Sequence, residues 1–210
     1  RKLNENQQAI EQYKRAIQIN PNYYEALNNM GLALTELKNY SKAKNILKQA
    51  IKVNPKFAEA YNNLGNVYNE VKDHNKAKSY YWKVIELDPI FWKAYNNLGN
   101  VYWSTEEYNQ AILYYKKSIK INPNYYKSYY NMGVALKENK QYEEAVKVLK
   151  QVIKFKPDFA KAHYNLGSIF RLVGDYKNSI HHQKIAISLD PNSVVFLQNL
   201  LFCINYSSSM

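Results

Sequence analysis

Cysteine is all but missing from this chain: Cys203 stands alone. That excludes an internal disulfide framework and fits a reducing compartment, so a cytoplasmic or nuclear location is expected. Long apolar runs are missing too. None approaches the ~18–20 residues needed to span a bilayer, and no signal peptide is visible, so no membrane partner is expected. Acid is in short supply, with 17 Asp and Glu against 29 Lys and Arg and a formal charge of +12. The basic residues are spread over both faces of the expected helices instead of forming one stripe, which argues against nucleic acid as a partner. A zinc-protease motif, paired-cysteine motifs, a glycine-rich phosphate loop and a nucleophile elbow are all absent. No catalytic residue, cofactor or metal is therefore expected. The four histidines suggest no ligand set, with His74 in a turn, His163 at a core position, and the neighbours His181 and His182 facing different ways on a helix.

Glycine and proline are scarce, six of each, yet nearly all fall into register. Glycine stands at 31, 65, 99, 133 and 167, and proline at 21, 55, 89, 123, 157 and 191. Both ladders step by 34 residues without a slip. A period of this size marks a stack of repeats in which each unit buries its apolar face only against its neighbours. Function is then to be sought on a long shared surface and not in one deep pocket.

Let position 1 of the unit fall at Tyr24, Ala58, Trp92, Tyr126, Ala160 and Val194, which puts the glycine at position 8 and the proline at position 32. Apolar residues recur at positions 4, 7 and 11, one face of a helix. A second set follows at position 20 (Ala43, Ala77, Ala111, Ala145) and position 24 (Leu47, Tyr81, Tyr115, Leu149), beyond a polar turn. Each unit reads as two antiparallel helices, giving an all-α, right-handed solenoid of about twelve helices. A mid-helix glycine costs roughly 1 kcal/mol against alanine, so the position-8 glycines need compensation. The expected compensation is close approach to the small residue at position 20. Proline closes each second helix, since it lacks the N–H and clashes with the preceding turn.

This pattern resembles the tetratricopeptide repeat (TPR), whose signature places Leu-Gly, Tyr, Ala, an aromatic, Ala and Pro at these offsets. The match divides the chain into units at 24–57, 58–91, 92–125, 126–159 and 160–193. A second helix of a truncated unit precedes them at 1–23, and a first helix follows at 194–210. Ser179 and Gln183 depart from the pattern and predict looser packing in the fifth unit. The abrupt start suggests a piece of a longer protein, with Leu201 and Phe202 docking onto a following domain.

In TPR arrays the first helices line a concave groove, into which positions 2, 5, 6, 9, 12 and 13 point. Position 6 is asparagine in all six units: Asn29, Asn63, Asn97, Asn131, Asn165 and Asn199. Asparagine is a mediocre helix former, so its persistence in mid-helix implies a use. A carboxamide both donates and accepts, and a row of them can read the backbone of an extended peptide. Asn62, Asn66, Asn96 and Asn100 flank the ladder, Trp103 is the candidate for a side-chain contact, and Lys127 and Lys161 make the C-terminal half of the groove basic where Glu25 and Glu59 stand earlier. The ladder, and the segment Asn199-Leu200-Leu201-Phe202 with Asn205-Tyr206, resemble the O-GlcNAc transferase and SPINDLY-type O-fucosyltransferase family. That resemblance implies a substrate-holding groove ahead of a glycosyltransferase domain, and it allows a homodimer through the convex face. The alternative is a free-standing TPR scaffold or adaptor. A carboxylate-clamp receptor for chaperone tails does not fit, because position 6 never becomes Arg and position 5 never becomes Lys.

Overall fold

The computed structural model describes residues 2–207, with side chains from Glu5 to Ile204. Among the described residues there are twelve helices and no strand. First helices, 13 residues each, are α2 (Tyr24–Glu36), α4 (Ala58–Glu70), α6 (Trp92–Ser104), α8 (Tyr126–Glu138) and α10 (Ala160–Leu172). Second helices, 14 residues each, are α3 (Tyr40–Val53), α5 (His74–Leu87), α7 (Tyr108–Ile121), α9 (Tyr142–Phe155) and α11 (Tyr176–Leu189). α1 (Lys2–Ile19) precedes them and α12 (Val194–Ser207) follows. Every second helix stops two residues short of a proline, as Pro55 after Val53 and Pro191 after Leu189. His74, expected in a turn, is the first residue of α5.

The turn inside each hairpin has one conformation throughout. Lys38, Lys72, Glu106, Lys140 and Gly174 all have positive φ, between 57° and 80°, and all occupy position 15. Around each runs the same pair of reversed hydrogen bonds, for example Lys38 N to Thr35 O and Asn39 N to Leu34 O. This is the Schellman arrangement, which satisfies the last carbonyls of the first helix. Three of the residues completing it, Asn39, Asp73 and Asp175, also cap the second helix by accepting a backbone N–H. One residue thus ends the first helix with its backbone N–H and starts the second with its side chain.

The chain gathers into two compact units, residues 1–101 and 102–210. Within each, hairpin partners pack against one another and first helices touch first helices: α2 with α4, and α8 with α10 and α10 with α12. Second helices meet through side chains as well, as in the Lys116–Glu144 ion pair at 2.9 Å between α7 and α9. In the second unit the core runs through Ala111, Tyr115, Met132, Leu136, Ala145, Leu149, Leu166 and Ile169. In the first, Leu27, Ala50 and Ala60 are enclosed by Ile46, Ile51 and Phe57.

The glycines meet a different partner from the one expected. A Cβ on Gly31, Gly65, Gly133 or Gly167 would strike the side chain at position 24: Leu47 at 2.5 Å, Tyr81 at 2.6 Å, Leu149 at 2.7 Å and Gln183 at 2.8 Å. Helical side chains lean back one turn toward the N-terminus, so position 24 covers the spot opposite position 20. Position 20 lies against the glycine's backbone instead, as Ser179 Oγ shows by donating to Gly167 O at 2.8 Å. Glycine here makes room for a large buried side chain. The predicted looseness of the fifth unit is not seen, since Ser179 and Gln183 are both fully buried.

At the C-terminal end α12 buries Phe196 and Cys203 and leaves Leu201 60% exposed. The side chains of Asn205 and Tyr206, part of the segment compared above, lie outside the described residues. No helix among the described residues is long and apolar enough to cross a membrane.

Candidate peptide-binding face

Position 6 lies on the first-helix face, and the structure shows what its amides do there. Asn63 Nδ2 donates to Asn28 Oδ1 at 2.8 Å, and Asn97 Nδ2 to Asn62 Oδ1 at 3.0 Å. Asn165 Nδ2 donates to the Tyr130 hydroxyl and Asn199 Nδ2 to the Tyr164 hydroxyl, each at 3.3 Å. All four bonds join position 6 of one repeat to position 5 of the repeat before. The ladder therefore stitches first helices together through its N–H groups. Acceptors survive at position 5 when Asn gives way to Tyr, because a phenol oxygen accepts as an amide oxygen does. That shared capacity was a signal in the sequence for stitching between repeats.

The remaining candidates separate by depth. Asn62 and Asn96 are 6% exposed and serve as buried partners of the ladder, Asn165 is buried, and Asn63, Asn97, Asn131 and Asn199 are half-buried. Asn29, Lys127, Lys161 and Trp103 are exposed, Trp103 near the end of α6. Asn66 is tied up twice, accepting the Tyr81 hydroxyl at 2.8 Å and Asn97 Nδ2 at 3.0 Å. Lys137, the last residue but one of α8, reaches Asn165 Oδ1 at 3.2 Å and Glu138 at 3.0 Å.

In the first unit these side chains surround a cavity of about 480 Å³ lined by Thr35, Glu36, Asn66, Asn69, Glu70, Tyr81, Asn97 and Asn100, with Lys38 and Tyr40 at the turn. It brings together three of the expected residues, Asn66, Asn97 and Asn100, and adds Asn69 and the two glutamates. Asn69 Oδ1 is buried with no donor against it. Glu70 accepts the Tyr40 hydroxyl at 3.5 Å, and Glu36 accepts from Asn6 at 3.0 Å. Burial, and then the Glu70 charge, push the Tyr81 phenol far up, so it stays a donor. Glu36 and Glu70 are the last residues of α2 and α4. An acidic residue opposes the negative end of the helix dipole there. Such local rule-breaking is where function is to be sought.

In the second unit two histidines meet that were expected to make no site. His163 Nδ1 and His182 Nδ1 are 3.1 Å apart, and His182 stacks on Phe170. Nitrogens this close share one proton. Burial, then the His163 charge, hold His182 down to about 4, and burial lowers His163 as well. Pro157 supplies His163 with a backbone hydrogen bond. Tyr61 and Tyr95, at the same repeat position, likewise bond to Pro55 O and Pro89 O. The pair is a packing device. Among the described residues no three His, Cys, Asp or Glu side chains could hold a metal.

Helix hairpins at a 34-residue step, Schellman turns and proline stops define a tetratricopeptide-repeat protein, a repeat module and not an enzyme fold. A tetratricopeptide-repeat family model matches residues 160–193. The family model for the C-terminal ARM domain of tetratricopeptide repeat protein 21 matches residues 1–167, and the chain belongs to that family. No curated protein matches the sequence. Solved structures do. YrrB, a TPR protein with an unusual peptide-binding site, is 22% identical with a TM-score of 0.70, over 89% of this chain and 96% of that one. PilF of Pseudomonas aeruginosa is 18% identical with a TM-score of 0.80, over 93% and 89%. MamA of Desulfovibrio magneticus is 19% identical with a TM-score of 0.72, over 81% and 97%. At these identities the likeness is one of fold.

Proposed function

We propose that the first-helix face binds extended segments of other proteins, and that the chain is a scaffold for protein–protein interaction. The observation that carries this reading is the polar cavity where Asn66, Asn69, Asn97 and Asn100 converge from α4 and α6 beside the end of α2. Packed helices stand ~8–10 Å apart and an extended chain rises ~3.3 Å per residue. A peptide lying across the first helices therefore meets a new repeat about every third residue. Half-buried amides at such intervals can pair with backbone N–H and C=O groups whatever the side chains are. Trp103, Lys127 and Lys161 would add selectivity further along the chain. The resemblance of the ladder to the O-GlcNAc transferase and SPINDLY-type family supports a substrate-presenting groove ahead of a catalytic domain. The match to the tetratricopeptide repeat protein 21 family favours the scaffold, and the stitching bonds account for the asparagines without a transferase.

The test is selection of random peptides on the purified chain, followed by amide chemical-shift mapping. Selected peptides should shift the side-chain amides of Asn69, Asn97 and Asn100. Peptides that shift only the second helices would overturn the reading.

A further inference from the structure

We infer that the hollow where α9 meets the end of α10 takes an apolar side chain from a partner protein, with a carboxylate of the same segment pairing to Lys150. The site uses none of the first-helix asparagines and stands independently of the reading above. The hollow measures about 410 Å³. Val146, Ile169 and Phe170 form its floor, and Glu143, Lys147, Lys150 and Val173 stand exposed around it. A second hollow of about 810 Å³ shares Glu143, Lys147 and Val173 with it and runs on to Lys140.

The same corner is closed elsewhere in the chain, in two ways. In the first unit Lys44 Nζ and Lys76 Nζ lie over the Tyr68 ring at 5.6 and 5.4 Å. Between α7 and α9, Lys116 pairs with Glu144 at 2.9 Å. Where α9 meets α10, Phe170 stands in the repeat place of Tyr68, Val146 in that of Lys44 and Lys150 in that of Lys116. Asn178 takes the place of both Lys76 and Glu144, and its amide turns back to Asp175 Oδ2 at 2.6 Å. The ring therefore lacks its cover and Lys150 its acid. Among the described residues neither Lys147 nor Lys150 forms an ion pair. Glu144 is committed to Lys116, so Glu143 alone answers Lys140, Lys147 and Lys150. Closing this corner takes apolar surface for Phe170 and a carboxylate for Lys150, as Glu144 provides for Lys116. A leucine or aromatic residue flanked by Glu or Asp brings both, and a basic or wholly polar segment does not.

The experiment titrates fluorescein-labelled Gly-Ser-Glu-Glu-Phe-Leu-Glu-Glu-Ser-Gly with the full chain, beside versions carrying Lys for Glu or Ser-Ser for Phe-Leu. The acidic apolar peptide should bind with a midpoint about tenfold lower than either control. It should shift the backbone amides of Val146, Lys150, Phe170 and Val173. V146Q fills the hollow without changing its charge, and K147Q/K150Q removes the charge beside it. Each should weaken binding about threefold to tenfold, and only the second should flatten the salt dependence. If V146Q melts early, K147Q/K150Q serves alone, because both lysines are exposed. Equal midpoints for the three peptides, or no binding of the acidic one at ~1 mM, would overturn the site. Shifts confined to the first-helix asparagines would do the same and leave the first-helix reading standing. A dimer in sedimentation that V146Q abolishes would overturn the foreign partner and put a second copy of the chain in the hollow.

Discussion

The two compact units use the same ladder in different company. In residues 1–101 Asn63 and Asn97 donate to other asparagines, and in 102–210 Asn165 and Asn199 donate to tyrosine hydroxyls. The tyrosines are themselves packed, Tyr130 edge-on to Phe159 at 5.0 Å and Tyr164 stacked on Phe196 at 4.8 Å. Position 9 changes in step, from Asn66 and Asn100 to Val134 and Ser168. Small amides in the first unit stitch the repeats while leaving a polar hollow. Rings in the second unit stitch them and fill the space. One backbone plan thus yields a hollowed face in one half and a more filled one in the other, with positions 5 and 9 among those that change.

The sharpest way to break the comparison is at the glycines. Gly65→Ala drives a methyl into the rigid, buried Tyr81 ring and should cost about 1–3 kcal/mol in denaturant unfolding. Gly167→Ala meets the flexible Gln183 and should cost less; equal losses would show that ring rigidity does not matter. Next come the ladder amides. Asn63→Ala strands the buried Asn28 oxygen and should cost about 1–3 kcal/mol, whereas Asn199→Ala releases a half-buried phenol and should cost about 0.5–1.5 kcal/mol. A reversed order would mean that the stitching strength lies in the second unit. Smaller still is the turn. Gly174→Ala should lose up to about 1 kcal/mol, the left-handed penalty less the entropy recovered, and Lys72→Gly should gain no more than that. The mildest effect is graded with pH. His182 is held down to about 4 from 6.5, so its contribution is complete above pH 6.5 and is lost as the pH falls toward 4. The melting temperature of the whole chain should drop across that window, and less so in H182Q.

The repeat was legible because two scarce residues kept step, and helix ends followed from proline chemistry. The partner of each glycine was not, since a one-dimensional pattern pairs positions by size, while side chains lean back along the helix and bring position 24 over the gap. The left-handed corners were hidden for a similar reason. Four of the five carry Lys or Glu, and only Gly174 displays the conformation that all share. On the first-helix face the asparagines were visible, but their bonding was not. Their partners lie 35 residues back, one step off the period, where the residue type changes and only its capacity to accept persists. The cavity was further from view, because Asn69, Glu36 and Glu70 sit at a helix end where polar residues usually mean nothing more than solvent.

The stitching has a direction. Asn63, Asn97, Asn165 and Asn199 each give a hydrogen to the repeat before. A polypeptide leaves the ribosome N-terminus first, and its leading segments fold before the trailing ones are made. A repeat joined by one of these bonds therefore finds its acceptor already in place, and the growing stack acts as a template for its next member.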